Sequence, residues 1–327
     1  MGHNSPEVKV VGDRLVLGPA SVTFERTLRI PETGLHPLPP SLGSFRLRRV
    51  QDYPDRVPAQ WLAHGGVMLP VYQREAMWLS FGSAEPAALQ IGIGKVCAVS
   101  GQGWNDRLTR DPQNYVALPE QPWLDGINAG DGFIRQFVAV PLGCGATVEG
   151  QVTGQEVHGG VQLRAVGLTP AALEEWRARP RFDEAMVDFD DCGPLPAPCA
   201  APSMGLGAGG RMRQEVYADD RPLSDYDQDR SWRVFVHLCS AAQWAAITGE
   251  VPPATPVDRD AYVEAGLPWF DYYDADAQDL AATEVLKNVK SVGEWFGEGE
   301  MPFVPVDPAK VVTVKGTPGD AVADGDW

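Results

Sequence analysis

Residues 203 to 212 read SMGLGAGGRM, which places Gly205, Gly207 and Gly210 in the G-x-G-x-x-G spacing of a dinucleotide-binding turn. Such a turn works only where a buried strand enters it and a helix leaves with its N-terminus facing the pyrophosphate, so its context decides between a doubly wound parallel fold and something else. The preceding PAPCAAPS (196–203) is too rich in proline for a central strand, and the following RMRQEVY alternates like a strand. The glycines therefore read as a flexible turn, and no cofactor is predicted.

The flanks agree with a β-rich chain. EVKVVGDRLVLG (7–18) sets Gly12-Asp13 between two alternating runs, the signature of a hairpin. SVTFERTLRIP, GGVMLPVYQREAMWLSFG, ALQIGIGKVCAVSG, NYVALP, GFIRQFVAVPLG and GGVQLRAVGL continue the series of short strands bounded by Gly or Pro. The first helix signal is TPAALEEWRARP, where Thr169 caps and Pro170 takes the first helical position. Beyond the glycines, SWRVFVHL is a strong strand, and Ser240 with Gln243 forms a capping box for AAQWAAIT, closed by Gly249. A last helix is expected over AQDLAATEVLKNV (277–289). The expected fold is β-rich α+β: an N-terminal antiparallel β-sandwich or barrel (1–180), a Pro/Gly-rich linker or long loop (181–210), a smaller mixed α/β part (211–310) and a frayed tail (311–327).

The 327 residues carry 27 Lys+Arg against 44 Asp+Glu, a formal charge of −17 that repels phosphate backbones and anionic lipid. RLRRV, with Arg46, Arg48 and Arg49, reads as a solvated surface loop, so nucleic acid is not an expected partner. No apolar run is long enough for a signal peptide or a membrane span, and five scattered cysteines without a C-x-x-C pair fit a reducing, cytoplasmic setting.

The densest candidate site lies in QPWLDGINAGDGFIRQFVAVPLGCGATVEGQVTGQEVHGG (121–160). Trp123 with Asp125, Asp131, Glu149 and Glu156, the amides Gln136 and Gln151, and His158 combines a flat indole with carboxylates and amides, the chemistry that holds a sugar ring. Two of those acids would also serve a glycosidase-like hydrolase. The alternative is that Trp123 is core and Glu149 to Glu156 an exposed hairpin. A second aromatic-acidic cluster, GLPWFDYYDADAQD, offers Trp269 and Tyr272 as anchors for a partner.

His237 and Cys239 share one strand face and form a candidate metal or nucleophile pair, and Asp225, Asp227 and Asp229 imitate the start of a calcium loop without its Gly or its final Glu. A divalent cation is the residual cofactor. His64 and His158 each precede a Gly-Gly pair, which places them on turns. With every catalytic motif missing or out of context, the first functional reading is a non-catalytic binding or assembly protein for a protein or carbohydrate partner.

Overall fold

A computed structural model of the protein describes residues 7–32, 34–130, 132–179, 204–256, 280–281, 283–296, 321–325 and 327. Asp131, Trp269 and Tyr272 lie outside the described residues, as do residues 181–203 of the expected linker.

The chain opens with β1 (Val8–Val11), β2 (Arg14–Leu17) and β3 (Ala20–Thr27), and Gly12 at φ 63° turns the first hairpin as its Gly-Asp pair predicts. Next come β4 (Ser41–Ser44), β5 (Arg48–Arg49), α1 (Ala59–His64), β6 (Val67–Val71), β7 (Ala76–Ser83), β8 (Ala87–Ile93) and β9 (Val96–Cys97). Then follow β10 (Val116–Leu118), β11 (Trp123–Leu124), β12 (Gly126–Gly130), β13 (Phe133–Pro141), α2 (Val148–Thr153), β14 (Val161–Leu168) and α3 (Pro170–Ala178). The later part supplies β15 (Met204–Arg213), β16 (Tyr226–Ser240), α4 (Ala241–Thr248), α5 (Glu284–Lys287), α6 (Val292–Phe296) and β17 (Ala321–Val322).

Two arrays of paired strands result. One runs β10–β8–β14–β16–β6–β5, and the other β17–β1–β2–β3–β7–β13–β15. They meet where Met204 pairs with Leu238, and every named pair is antiparallel except β16 with β6. The fold is a β-rich mixed α+β one built on this extensive antiparallel sheet. Strands after residue 203 pair with strands before residue 180, β15 along β13 and β16 along β14. Phe24, Leu79, Leu89, Ile91, Phe137, Leu163 and Val236 from both arrays enter one core, each fully buried. No described helix is long and apolar enough to cross a membrane.

The glycine stretch departs from the turn expected of it. Met204 to Arg213 is a buried ten-residue strand, not a flexible turn, and it leads to irregular chain rather than to a helix. Its glycines serve close approach, the other use of a residue without a side chain. A Cβ on Gly207 would stand 2.9 Å from Val292 Cγ2 of α6, and one on Gly210 would strike the Pro31 carbonyl. Proline upstream and glycine content resemble a linker in composition, while the decisive pairing with β13 lies more than sixty residues away in sequence.

Three other expectations change. Within the described part of the expected last helix (280–281 and 283–289) only Glu284–Lys287 is helical, because Leu280 N donates to Val216 O (2.8 Å) and Thr283 Oγ1 to Ser100 O (2.6 Å), pinning the approach to the sheet. The tail is tied down where described: Val322 pairs with Val8, Gly66 N donates to Ala323 O (2.6 Å) and Arg233 Nε to Asp324 Oδ2 (3.0 Å). The arginines of RLRRV hold structure, Arg48 gripping Glu250 with two bonds of 2.6 and 3.0 Å and Arg49 gripping Asp52 at 2.8 and 3.0 Å. The capping box of Ser240 and Gln243, the Gly249 C-cap and the Thr169–Pro170 helix start all form as the sequence predicts.

Candidate functional site

Val148–Thr153 forms the short helix α2 rather than a hairpin or strand. Thr147 caps it by accepting from Gly150 N (2.9 Å), and Gly154 closes it in the left-handed region at φ 75°. The turn after it brings Glu156 back over the helix start. Glu156 Oε2 accepts from Gly143 N (2.5 Å) and Gly145 N (2.9 Å), while Oε1 accepts from Thr147 N (3.1 Å) and Thr147 Oγ1 (2.6 Å). Although burial opposes the charged form, these donors together hold its carboxyl below the usual carboxylate range.

Glu149 points the other way. Its oxygens accept from Lys95 N (3.2 Å), His158 N (3.2 Å) and Gly159 N (3.0 Å), so the acid staples α2 to two turns. Burial outweighs those bonds and raises its pKa. Asp125 is 2 % exposed, and its Oδ2 accepts from Gln214 Nε2 (2.9 Å), with the Trp123 indole as a second donor. Burial pushes it up to about 7. Trp123 itself is half-buried against the core. Gln136 is fully buried, accepting from Ile30 N (3.1 Å) and donating to Leu28 O (2.9 Å). These acids and amides thus do not converge on one open cleft; each is engaged where it lies.

Gln151 stands at an opening. Its amide donates to Ala146 O (3.1 Å) and Lys290 O (3.0 Å) and accepts from Lys290 N (2.6 Å), clamping α2 to the segment between α5 and α6. Between them lies a groove of about 500 Å³ lined by Gly145, Gly150, Gln151, Val152, Val285, Asn288, Val289, Lys290 and Trp295. Trp295 is 40 % and Val285 42 % exposed, so both present apolar surface at this opening. The indole is held by Nε1 donating to Cys144 O (3.0 Å), and the Lys290 ammonium lies 6.0 Å from its ring centre. The groove stands on β15: Ala208 bridges to Ser291, and a Cβ on Gly205 would meet Thr147 Cγ2 at 2.8 Å. The glycines of the opening motif let the 142–147 loop and α6 lie directly on the strand.

Histidines gather on the far side of α2. His64 and His158 lie with ring centres 5.5 Å apart, and His64 stacks 5.9 Å from His237. His237 is 2 % exposed, its Nε2 bonds Gly65 O at 2.9 Å and its ring stacks on Trp61 at 4.6 Å. Cys239 lies on the same strand face, in the cluster of Val50, Tyr53, Trp61, Met68 and Trp244, with burial raising its thiol. His237 Nε2 is thus engaged by Gly65 O rather than by Cys239. Among the described residues no three His, Cys, Asp or Glu side chains converge as metal ligands, the Asp225 to Asp229 series included.

Sequence reasoning missed Trp295, Val285 and Lys290, whose apolar spacing resembles ordinary helix, and it missed His64 as a neighbour of His158. One signal was present: HGGV occurs twice, at 64–67 and 158–161, and both copies end on a valine paired with Val236 of β16. The chain matches no protein-family model, no curated protein and no solved structure in the comparisons made, so the geometry alone carries its functional reading.

Proposed function

We propose that the protein is a non-catalytic binding protein that docks a short segment of a protein partner in the groove between α2 and α5–α6. The observation that carries this is the groove itself: about 500 Å³, with the Trp295 indole and Val285 exposed on its walls. Aromatic side chains such as this indole are anchors of protein interfaces. Lys290 over Trp295 adds a cation to the lip of a chain whose net charge is −17, and so favours a segment that pairs an apolar anchor with a carboxylate. A protein segment fits better than a carbohydrate, since the Gln151 amide that would serve sugar hydroxyls is already bonded at both ends.

The engagement of Asp125, Glu149 and Glu156 in bonds that hold the fold weighs for binding over a glycosidase-like hydrolase. Two strand arrays with one shared core support a sandwich as the scaffold. Selection from a displayed random-peptide library, followed by fluorescence anisotropy on the selected peptide, tests the proposal. The expected consensus joins Trp, Phe, Leu or Ile with Asp or Glu, and Trp295→Ala weakens binding by about tenfold or more. Equal affinity for the Trp295→Ala protein, or saturable binding to an oligosaccharide array with no peptide selected, would overturn it.

A further inference from the structure

Residues 321–325 and 327 lie on the body of the protein as a peptide lies on its receptor. β17 runs along the outer edge of β1, with Val322 opposite Val8 and Ala321 opposite Lys9. The main chain is read group by group: Arg49 Nη1 donates to Ala321 O (3.0 Å), Gly66 N to Ala323 O (2.6 Å), and Ala323 N to Gln51 Oε1 (2.5 Å). A Cβ on Gly65 would strike Ala323 O and one on Gly325 would strike Ala63 O, so two glycines set how deeply the segment sits.

Two side chains anchor it. Asp324 Oδ2 accepts from Arg233 Nε (3.0 Å), and Arg233 Nη2 donates to Gly325 O (3.3 Å). The Arg233 guanidinium lies 4.3 Å from the centre of the Trp327 ring and the Lys95 ammonium 5.4 Å from it, with Phe235 edge-on at 5.7 Å and Trp104 at 6.3 Å. Strand addition gives such a contact its affinity, and the seats for Asp324 and Trp327 give it selectivity.

The segment is also cheap to release. Each of its described residues keeps some solvent exposure, whereas β6 and β8 are buried throughout, and of its side chains Val322 alone packs against the core. On release Arg233 keeps Asp106 at 3.5 Å and returns to water, so no buried charge is stranded. Residues 297–320, twenty-four in all, join the segment to α6; such a length can reach at most about 80 Å. We propose that residues 321–327 are an exchangeable element, and that the seat of Arg233, Lys95, Trp104 and Phe235 takes the same segment from a second copy of this chain. The contacts are identical in cis and in trans, which makes exchange a low-cost route to a dimer. The attached segment competes at an effective concentration on the order of 1 mM, so the cis arrangement prevails in dilute protein.

The test pairs two full-length variants. One carries Asp324→Asn with Trp327→Ala, which disables the segment; the other carries Arg233→Gln, which disables the seat. By sedimentation velocity each is expected to be monomeric alone, and their mixture to form a 1:1 dimer. A fluorescein-labelled peptide of residues 319–327 is expected to bind the segment-disabled chain about tenfold or more tightly than the unmodified chain, whose own segment competes. It is expected to lose that affinity on the Arg233→Gln chain. A third readout needs no variant to fold: the unmodified chain is expected to show a dimer fraction that rises with concentration and falls on adding excess peptide. Monomers alone in the mixture, equal peptide affinity for the segment-disabled and unmodified chains, or a dimer insensitive to the peptide would each overturn the exchange.

Discussion

Asp125 and Glu156 were equal candidates in the sequence, yet they occupy opposite environments. Asp125 is sealed under β11 and β12, and its donors are two neutral side chains, Gln214 and Trp123. Glu156 lies at a loop and receives three backbone N–H groups and a hydroxyl. The first is pushed up to about 7 and the second is held below its ordinary range. Carboxylate chemistry is thus set by the number of donors and by access to water, neither of which is visible from residue type. Consequences differ as well: Asp125 closes a wall, while Glu156 shapes the loop that carries Gly145 against Trp295 and so builds the groove.

The strongest way to break this contrast is pH. Because its folded pKa is raised, Asp125 favours the fold in its protonated form; that contribution is complete below about 4 and is lost as pH rises through about 7. Asp125→Asn is therefore expected to stabilise the protein on the order of 2–4 kcal/mol above pH 8, with the gain vanishing near pH 4, as read by urea denaturation. A gain that is independent of pH would contradict the raised carboxyl.

Glu156 has the opposite sign. Its stabilisation is present above the ordinary value of 4.5 and fades as pH falls through it toward the lowered folded value. Glu156→Gln is expected to cost about 1–3 kcal/mol at pH 7, and the difference from the unmodified protein should shrink in acid. Gly207→Ala probes the strand under the same loop and should cost about 1–2 kcal/mol by overpacking against Val292, visible as a lower thermal midpoint and as broadened Val292 methyl signals. A neutral result would mean that α6 moves freely off the strand. The smallest stability effect belongs to Trp295→Ala, below about 1 kcal/mol at a half-exposed position, measured by the same urea titration.

Much of the sheet was legible because its determinants are local. Gly12-Asp13, Thr169-Pro170 and the Ser240/Gln243 box act within four residues, and each forms where the sequence puts it. The glycine strand was illegible for the converse reason: glycine marks both flexible turns and close contacts, and only the pairing of β15 with β13 separates them. Residues 214–219 show the same limit. They are held largely by side-chain amides, with Gln121 Oε1 accepting from Tyr217 N and Gln113 Oε1 from Asp219 N, bonds that leave no periodicity in the sequence. At the candidate site, Glu149, Gln151 and His158 were found as types but not as roles. The Trp295 groove and the joining of His64 to His158 depend on chain segments more than ninety residues apart.

One titration separates the groove, proposed as the binding surface, from the acids that hold the framework. A peptide selected on the unmodified protein is measured by anisotropy against Asp125→Asn and Trp295→Ala at pH 7. Unchanged affinity for Asp125→Asn with a loss of about tenfold or more for Trp295→Ala is predicted; retained affinity for Trp295→Ala with loss in Asp125→Asn would place function at the buried acid and contradict the account.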